Sequence, residues 1–179
     1  MMQRGSGRLW TYRGQARPPF ALAPLNGQES VWDYPRPPRL VPDPREVVVC
    51  AGGVELARTQ RALRVLETAS PPTFYLPAED VRTELLESAA GGSWCEWKGA
   101  ATYWDLVLPT RRMARVAWSY EMPSTPFAAL RSHLGFYPAL LDCRVGGVRV
   151  APQPGGFYGG WVTPEIVGPF KGEPGTEGW

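Results

Sequence analysis

The sequence predicts a mainly-β fold, and three observations predict it. Short runs rich in Val, Leu, Thr, Tyr and Trp recur at close spacing, as in sheets built from many short strands. Twenty glycines and twenty prolines in 179 residues punctuate those runs without a period. Only residues 127–134, where Ala128, Ala129, Leu130 and Leu134 are good helix formers, read as a short helix. Together these point to an all-β sandwich or a barrel-like body of short antiparallel strands.

Taken in order, residues 1–30 read as a loosely ordered leader dominated by Gly, Arg and Pro, and Trp32-Asp-Tyr34 precedes a proline-rich segment. The body starts at Glu46. Residues 47–50, a Gly52-Gly53 turn and residues 54–57 form a hairpin. Residues 63–67 are the next strand, which Pro71-Pro72 should end before residues 73–76, and residues 77–80 are a turn. Residues 83–87, 93–98, 101–108 and 114–120 follow as strands, then the helix. Residues 136–137, 140–145 and 148–150 close the body, with Gly146-Gly147 as a hairpin turn. This divides the chain into an N-terminal extension (1–45, partly ordered), a β domain (46–151) and a C-terminal extension (152–179) packing on it. In that last part, Pro152-Gln-Pro-Gly-Gly-Phe-Tyr-Gly-Gly-Trp161 suits an irregular ribbon, because neither a helix nor a strand interior favours such residues.

Composition excludes several classes. A hydrophobic fraction of 44% supports a real core, and eight Trp with seven Tyr make it aromatic. A net charge of +2, dispersed, leaves no stripe for nucleic acid. No run of ~18 apolar residues spans a membrane, and the polar, basic N-terminus lacks a signal-peptide core. Cys50, Cys95 and Cys143 are widely spaced and odd in number, which suits reduced thiols in a cytoplasmic protein. No metal site or cofactor is expected, and no phosphate-cradling glycine motif occurs. His133 has no catalytic partner nearby in sequence.

Three groups of residues carry candidate chemistry. Glu67 continues the face of Leu63 and Val65, so it is either a pocket carboxylate acting as a base or holding a cation, or the acceptor of turn N–H groups after a strand end. In Cys95-Glu-Trp-Lys-Gly99, a straight strand puts Cys95 and Lys98 on opposite faces. A turn near Gly99 would bring thiol and ammonium together as an activated nucleophile; otherwise Cys95 is a small buried thiol. Lys98 could instead pair with Glu67, as a structural ion pair or as an anion- or carbonyl-binding site. Among the aromatics Trp94, Trp97, Tyr103, Trp104, Trp118, Tyr120 and Tyr137, most should be core, and a few should line a cleft with polar tips inward.

The stretches Glu67-Thr-x-x-Pro-Pro-Thr-Phe-Tyr-Leu-Pro77, Cys95-Glu-Trp-Lys-Gly-x-Ala-x-Tyr103, Ala117-Trp-Ser-Tyr120 and Gly135-Phe-Tyr-Pro138 resemble the bacterial domain of unknown function 427 family. The Trp32-Asp-Tyr-Pro lead-in and the 152–179 tail resemble its longer members. The resemblance implies a β-tent body, similar to that of methionine sulfoxide reductase B. Two positions depart from the pattern: Glu96 stands where many members carry proline, and Ser70 where many carry histidine. The family sometimes bears a nucleotidyltransferase label, but Gly92-Ser93 here has no Asp-x-Asp behind it.

The sequence therefore leads to a domain that binds a small polar metabolite. Glu67, Cys95, Lys98, Tyr103, Trp118, Tyr120 and Tyr137 would line its cleft, and Lys98 would engage an anionic or carbonyl group. Any catalysis would use Glu67 as base or Cys95 as nucleophile. The alternative is a non-catalytic interaction module whose extensions clamp a partner or a second copy. A thiol-dependent enzyme is a third option.

Overall fold

The structure is a computed structural model that describes residues 10–179; the first nine residues of the expected leader lie outside it. In chain order the strands begin with β1 (Glu29–Ser30), β2 (Arg39–Asp43), β3 (Val47–Ala51), β4 (Val54–Thr59) and β5 (Ala62–Glu67). They continue with β6 (Ser70–Pro77), β7 (Leu86–Cys95), β8 (Gly99–Leu108), β9 (Arg111–Ser119) and β10 (His133–Phe136). Last come β11 (Asp142–Val145), β12 (Val148–Arg149), β13 (Ala151–Pro152), β14 (Trp161–Val162) and β15 (Ile166–Val167). Among the described residues, helical structure is confined to short 3-10 segments.

The protein is mainly β. Seven strands form an open antiparallel sheet in the order β2-β5-β6-β10-β9-β8-β7, and a four-stranded sheet runs β12-β11-β3-β4. Period-two alternation decides which residues face which way. On β6, Phe74 and Leu76 point to the small sheet, and Tyr75 between them points away. The space between the sheets holds Val47, Val49, Leu56, Phe74, Leu76, Leu106, Val116, Phe136, Cys143 and Trp161, all buried. This is the main hydrophobic core, and neither sheet closes into a barrel.

The two extensions pack on each other. β1 pairs in parallel with β15. Trp32 lies 5.2 Å from both Tyr12 and Trp179, centroid to centroid, and its indole N–H donates to the Pro169 carbonyl. From Tyr12 onward the lead-in thus contributes to a hydrophobic cluster with Val31, Tyr34, Leu66 and Ile166, and β2 from the same segment completes one edge of the large sheet.

Several local expectations change. Pro71 and Pro72 lie inside β6 instead of before it. The β5–β6 register shifts between Val65 and Glu67, so the ladder does not demand their missing N–H groups. Residues 83–85 form a 3-10 turn, not a strand. The expected helix is a 3-10 segment at Thr125–Leu130, after which His133–Phe136 is a strand. Leu134 and Phe136 alternate into the core and pair with β6 and β9, and that packing outweighs helix propensity.

Candidate functional site

A single cross-strand row builds the floor of the site. Leu63 on β5 faces Tyr75 on β6, Tyr75 faces Gly135 on β10, Gly135 faces Trp118 on β9, and Trp118 faces Tyr103 on β8. Register places all of these on the sheet face that the small sheet does not cover. Gly135 makes the row possible. A Cβ there would stand 2.5 Å from the Trp118 ring, so only glycine lets the indole lie across the neighbouring strand. Gly159, from the ribbon, closes over the same indole; its Cβ would stand 2.2 Å away.

Above this floor lies a cleft of about 730 Å³. All seven residues expected from the sequence line it: Glu67, Cys95, Lys98, Tyr103, Trp118, Tyr120 and Tyr137. The ribbon supplies one wall through Gln153, Phe157, Tyr158 and Gly159, and its feet are joined by the β13–β14 pairing of Pro152 with Trp161. Phe157 and Trp94 stand at the mouth, 69% and 76% exposed.

The Cys95–Lys98 segment is not a straight strand. β7 ends at Cys95, and Glu96 to Lys98 form a turn that Gly99, at φ +99°, leads into β8. Ser124 pins the turn: its hydroxyl donates to the Trp97 carbonyl, and its N–H donates to the Lys98 carbonyl at 3.1 Å. Cys95 and Lys98 consequently both reach the cleft. Of the two arrangements open from the sequence, the turned one is present.

Lys98 is only 8% exposed. Its ammonium lies 5.7 Å from the Tyr120 ring centroid and 5.8 Å from that of Phe127. Burial opposes its charge, but Tyr75, Cys95 and Glu67 around it outweigh that and raise its pKa above the ordinary lysine value. Burial is also the main reason that Tyr75, Tyr120 and Tyr137 have raised pKa values, so their hydroxyls stay protonated and can donate. Trp118 Nε1 donates to the Tyr75 hydroxyl at 3.2 Å, and the Tyr120 hydroxyl, the Cys95 thiol and the Lys98 ammonium line the same cleft. Tyr103 shares a hydrogen bond with the Ser93 hydroxyl at 2.8 Å.

Glu67 and Lys98 share the cleft without forming the expected direct pair. Glu67 Oε1 accepts from Arg36 Nε at 3.2 Å and from Trp97 Nε1 at 3.3 Å. Arg36 is buried and needs a counter-charge, and it takes this carboxylate while also donating to the Thr68 and Tyr12 carbonyls. Among the described residues, Lys98 makes no ion pair within 4 Å. His133 is elsewhere, lining a smaller cavity of about 220 Å³ with Trp104, Ser119 and Glu121.

Sequence reasoning missed several lining residues. Tyr75 and Ser93 sit on strands already identified, and the alternation rule could have added them. Gln153 and Tyr158 belong to the ribbon, which stood out by composition without revealing what it faces. Trp10 and Lys171 gave no signal at all: the Lys171 ammonium lies 4.0 Å above the Trp10 ring and donates to the Trp179 carbonyl, contacts that join distant parts of the chain.

A family model described as a domain of unknown function (DUF427) matches residues 39–147, more than half of the chain. The matched span holds all seven expected cleft residues and stops before the ribbon. No curated protein matches the chain.

Proposed function

The chain belongs to the DUF427 family, and from its cleft we propose that it binds a small polar metabolite through a carboxylate or carbonyl group seated on Lys98. One observation carries this reading. Lys98 is nine-tenths buried, lines a cleft of about 730 Å³, and makes no ion pair among the described residues, whereas the neighbouring carboxylate is matched by Arg36. A buried charge is costly to leave without a counter-charge, so an anionic or strongly polar ligand would fit there. The protonated Tyr120 and Tyr137 hydroxyls add donors around it, and the aromatic floor favours a ligand with a flat apolar part.

The test is calorimetric titration of the protein with a panel of small aromatic and aliphatic carboxylates, beside Lys98→Met. Hydrogen bonds to charged groups contribute ~1.5–3 kcal/mol, so Lys98→Met should weaken a bound carboxylate by roughly ten-fold to a hundred-fold. Equal binding by both proteins would refute the role of Lys98.

The second reading is an interaction module, and the exposed rings of Trp94 and Phe157 at the mouth favour it. Sedimentation across a range of protein concentrations separates the two. Self-association lost in a Trp94→Ser, Phe157→Ser variant supports the module, and a monomer at every concentration removes the second copy as its partner.

A further inference from the structure

We propose that Cys95 is the acceptor of a carbon electrophile, an α,β-unsaturated aldehyde or ketone that lies in the cleft with its carbonyl oxygen toward Lys98. This rests on the binding reading above and deepens it by naming a substrate class. Two independent observations meet at this spot. The Cys95 thiol lines the cleft together with Tyr120 and Lys98. The nine-tenths-buried Lys98 side chain reaches the same space without an ion-pair partner among the described residues.

The roles follow from the chemistry of each group. Lys98 is held as an ammonium and has no lone pair to attack with, so the sulfur is the nucleophile and the ammonium is the charge partner. What comes after the bond to sulfur narrows the reaction. An acyl-enzyme would need a base to activate water, but Glu67 is tied to Arg36 and Trp97, and His133 lines the other cavity. Disulfide exchange would need a resolving thiol, but Cys50 and Cys143 sit on β3 and β11 of the small sheet. Conjugate addition needs neither.

In that step the Cys95 sulfur, as thiolate, forms a C–S bond at the β-carbon. The C=C π pair shifts to the carbonyl oxygen, giving an enolate that faces the Lys98 ammonium and the Tyr120 hydroxyl. The proton lost by the thiol ends on the α-carbon. The product is a neutral thioether on Cys95, with no oxidant, reductant or other reactant consumed.

The experiment treats the full chain with trans-cinnamaldehyde at neutral pH and maps adducts at each cysteine by mass spectrometry over time. Half-buried Cys50 serves as the internal reference, and trans-cinnamate, which has the same ring and a carboxylate but reacts far less readily with thiols, serves as the binding probe. Cys95 should label at least ~10-fold faster than Cys50. Lys98→Met and Tyr120→Phe should each slow it by roughly 100- to 1,000-fold, the range seen on removing a donor from a developing oxyanion. Cinnamate should protect Cys95. Labelling of Cys95 no faster than Cys50, or unchanged in Tyr120→Phe, overturns the proposal. Tyr120→Phe keeps the side-chain shape and preserves the test if Lys98→Met does not fold. Cinnamate bound in a Lys98-dependent manner beside an inert Cys95 would leave the binding reading standing alone. If the panel carboxylates and cinnamate all fail to bind, both fall.

Discussion

The two faces of the large sheet are made from neighbouring residues and have opposite characters. On one face Phe74, Leu76, Leu106, Val116 and Phe136 meet the small sheet and leave no room. On the other, Tyr75, Tyr103, Trp118 and Tyr120 are just as aromatic yet surround a cleft. Aromatic content alone does not separate core from site. What separates them is the polar tip on each ring and the partner layer: a hydrocarbon sheet on one side, a glycine-rich ribbon on the other. The open face carries hydrogen bonds between ring tips, Trp118 to Tyr75 and Tyr103 to Ser93, where the closed face relies on apolar contact.

The sharpest way to break this comparison is to empty the closed face. Trp161 is fully buried, stacks on Phe74 at 4.9 Å, and donates its indole N–H to the Phe136 carbonyl at 3.0 Å. Trp161→Ala should cost ~3–5 kcal/mol, read from the shift in a urea unfolding midpoint at constant slope. A smaller loss is expected at the ribbon. Gly159→Ala would press a methyl group into the Trp118 ring, for ~1–3 kcal/mol by the same assay, and should also weaken ligand binding by displacing that ring.

Alkaline unfolding isolates the open face. Tyr75, Tyr120 and Tyr137 have pKa values raised mainly by burial, so their contribution to stability is fully present below the unfolded phenol value of ~10 and is lost as pH rises toward their folded values. In that window each phenol should steepen the fall in stability by at most ~1.4 kcal/mol per pH unit, and Tyr120→Phe should flatten it. Cys143, Cys50 and Tyr34 have raised pKa values of the same sign away from the open face, so the difference between the parent and Tyr120→Phe is what isolates it. The smallest effect belongs to the rim: Trp94→Ala should change stability by less than ~0.5 kcal/mol, because the ring is largely in solvent. A loss as large as that of Gly159→Ala would mean that the rim is structural.

How much of this was legible in the sequence depends on the range of the interaction involved. The mainly-β class and the 47–57 hairpin were readable because alternation and Gly-Gly turns are local. The seven cleft residues followed from alternation combined with the recognised motifs. The partner of Glu67 was not readable, since Arg36 lies 31 positions away and reaches it only after the proline-rich lead-in folds back. Nor was the end of β7 at Cys95, because Ser124, which fixes the following turn, arrives from a separate loop. The helix at 127–134 was misjudged because local propensity is weaker than the two ladders that claim His133–Phe136.

The ribbon's anchoring has a practical side. Its feet, Pro152 and Trp161, form a two-pair ladder, and Trp161 is rooted in the hydrocarbon interior, while Gly156, Phe157 and Tyr158 project outward at the rim. The rings of that tip can therefore be changed without disturbing what holds the fold together, while Gly156, at φ +67°, keeps the turn. The segment is a natural place to graft variety: a library confined to positions 157 and 158 would retune what the cleft accepts while every member inherited the same rigid chassis.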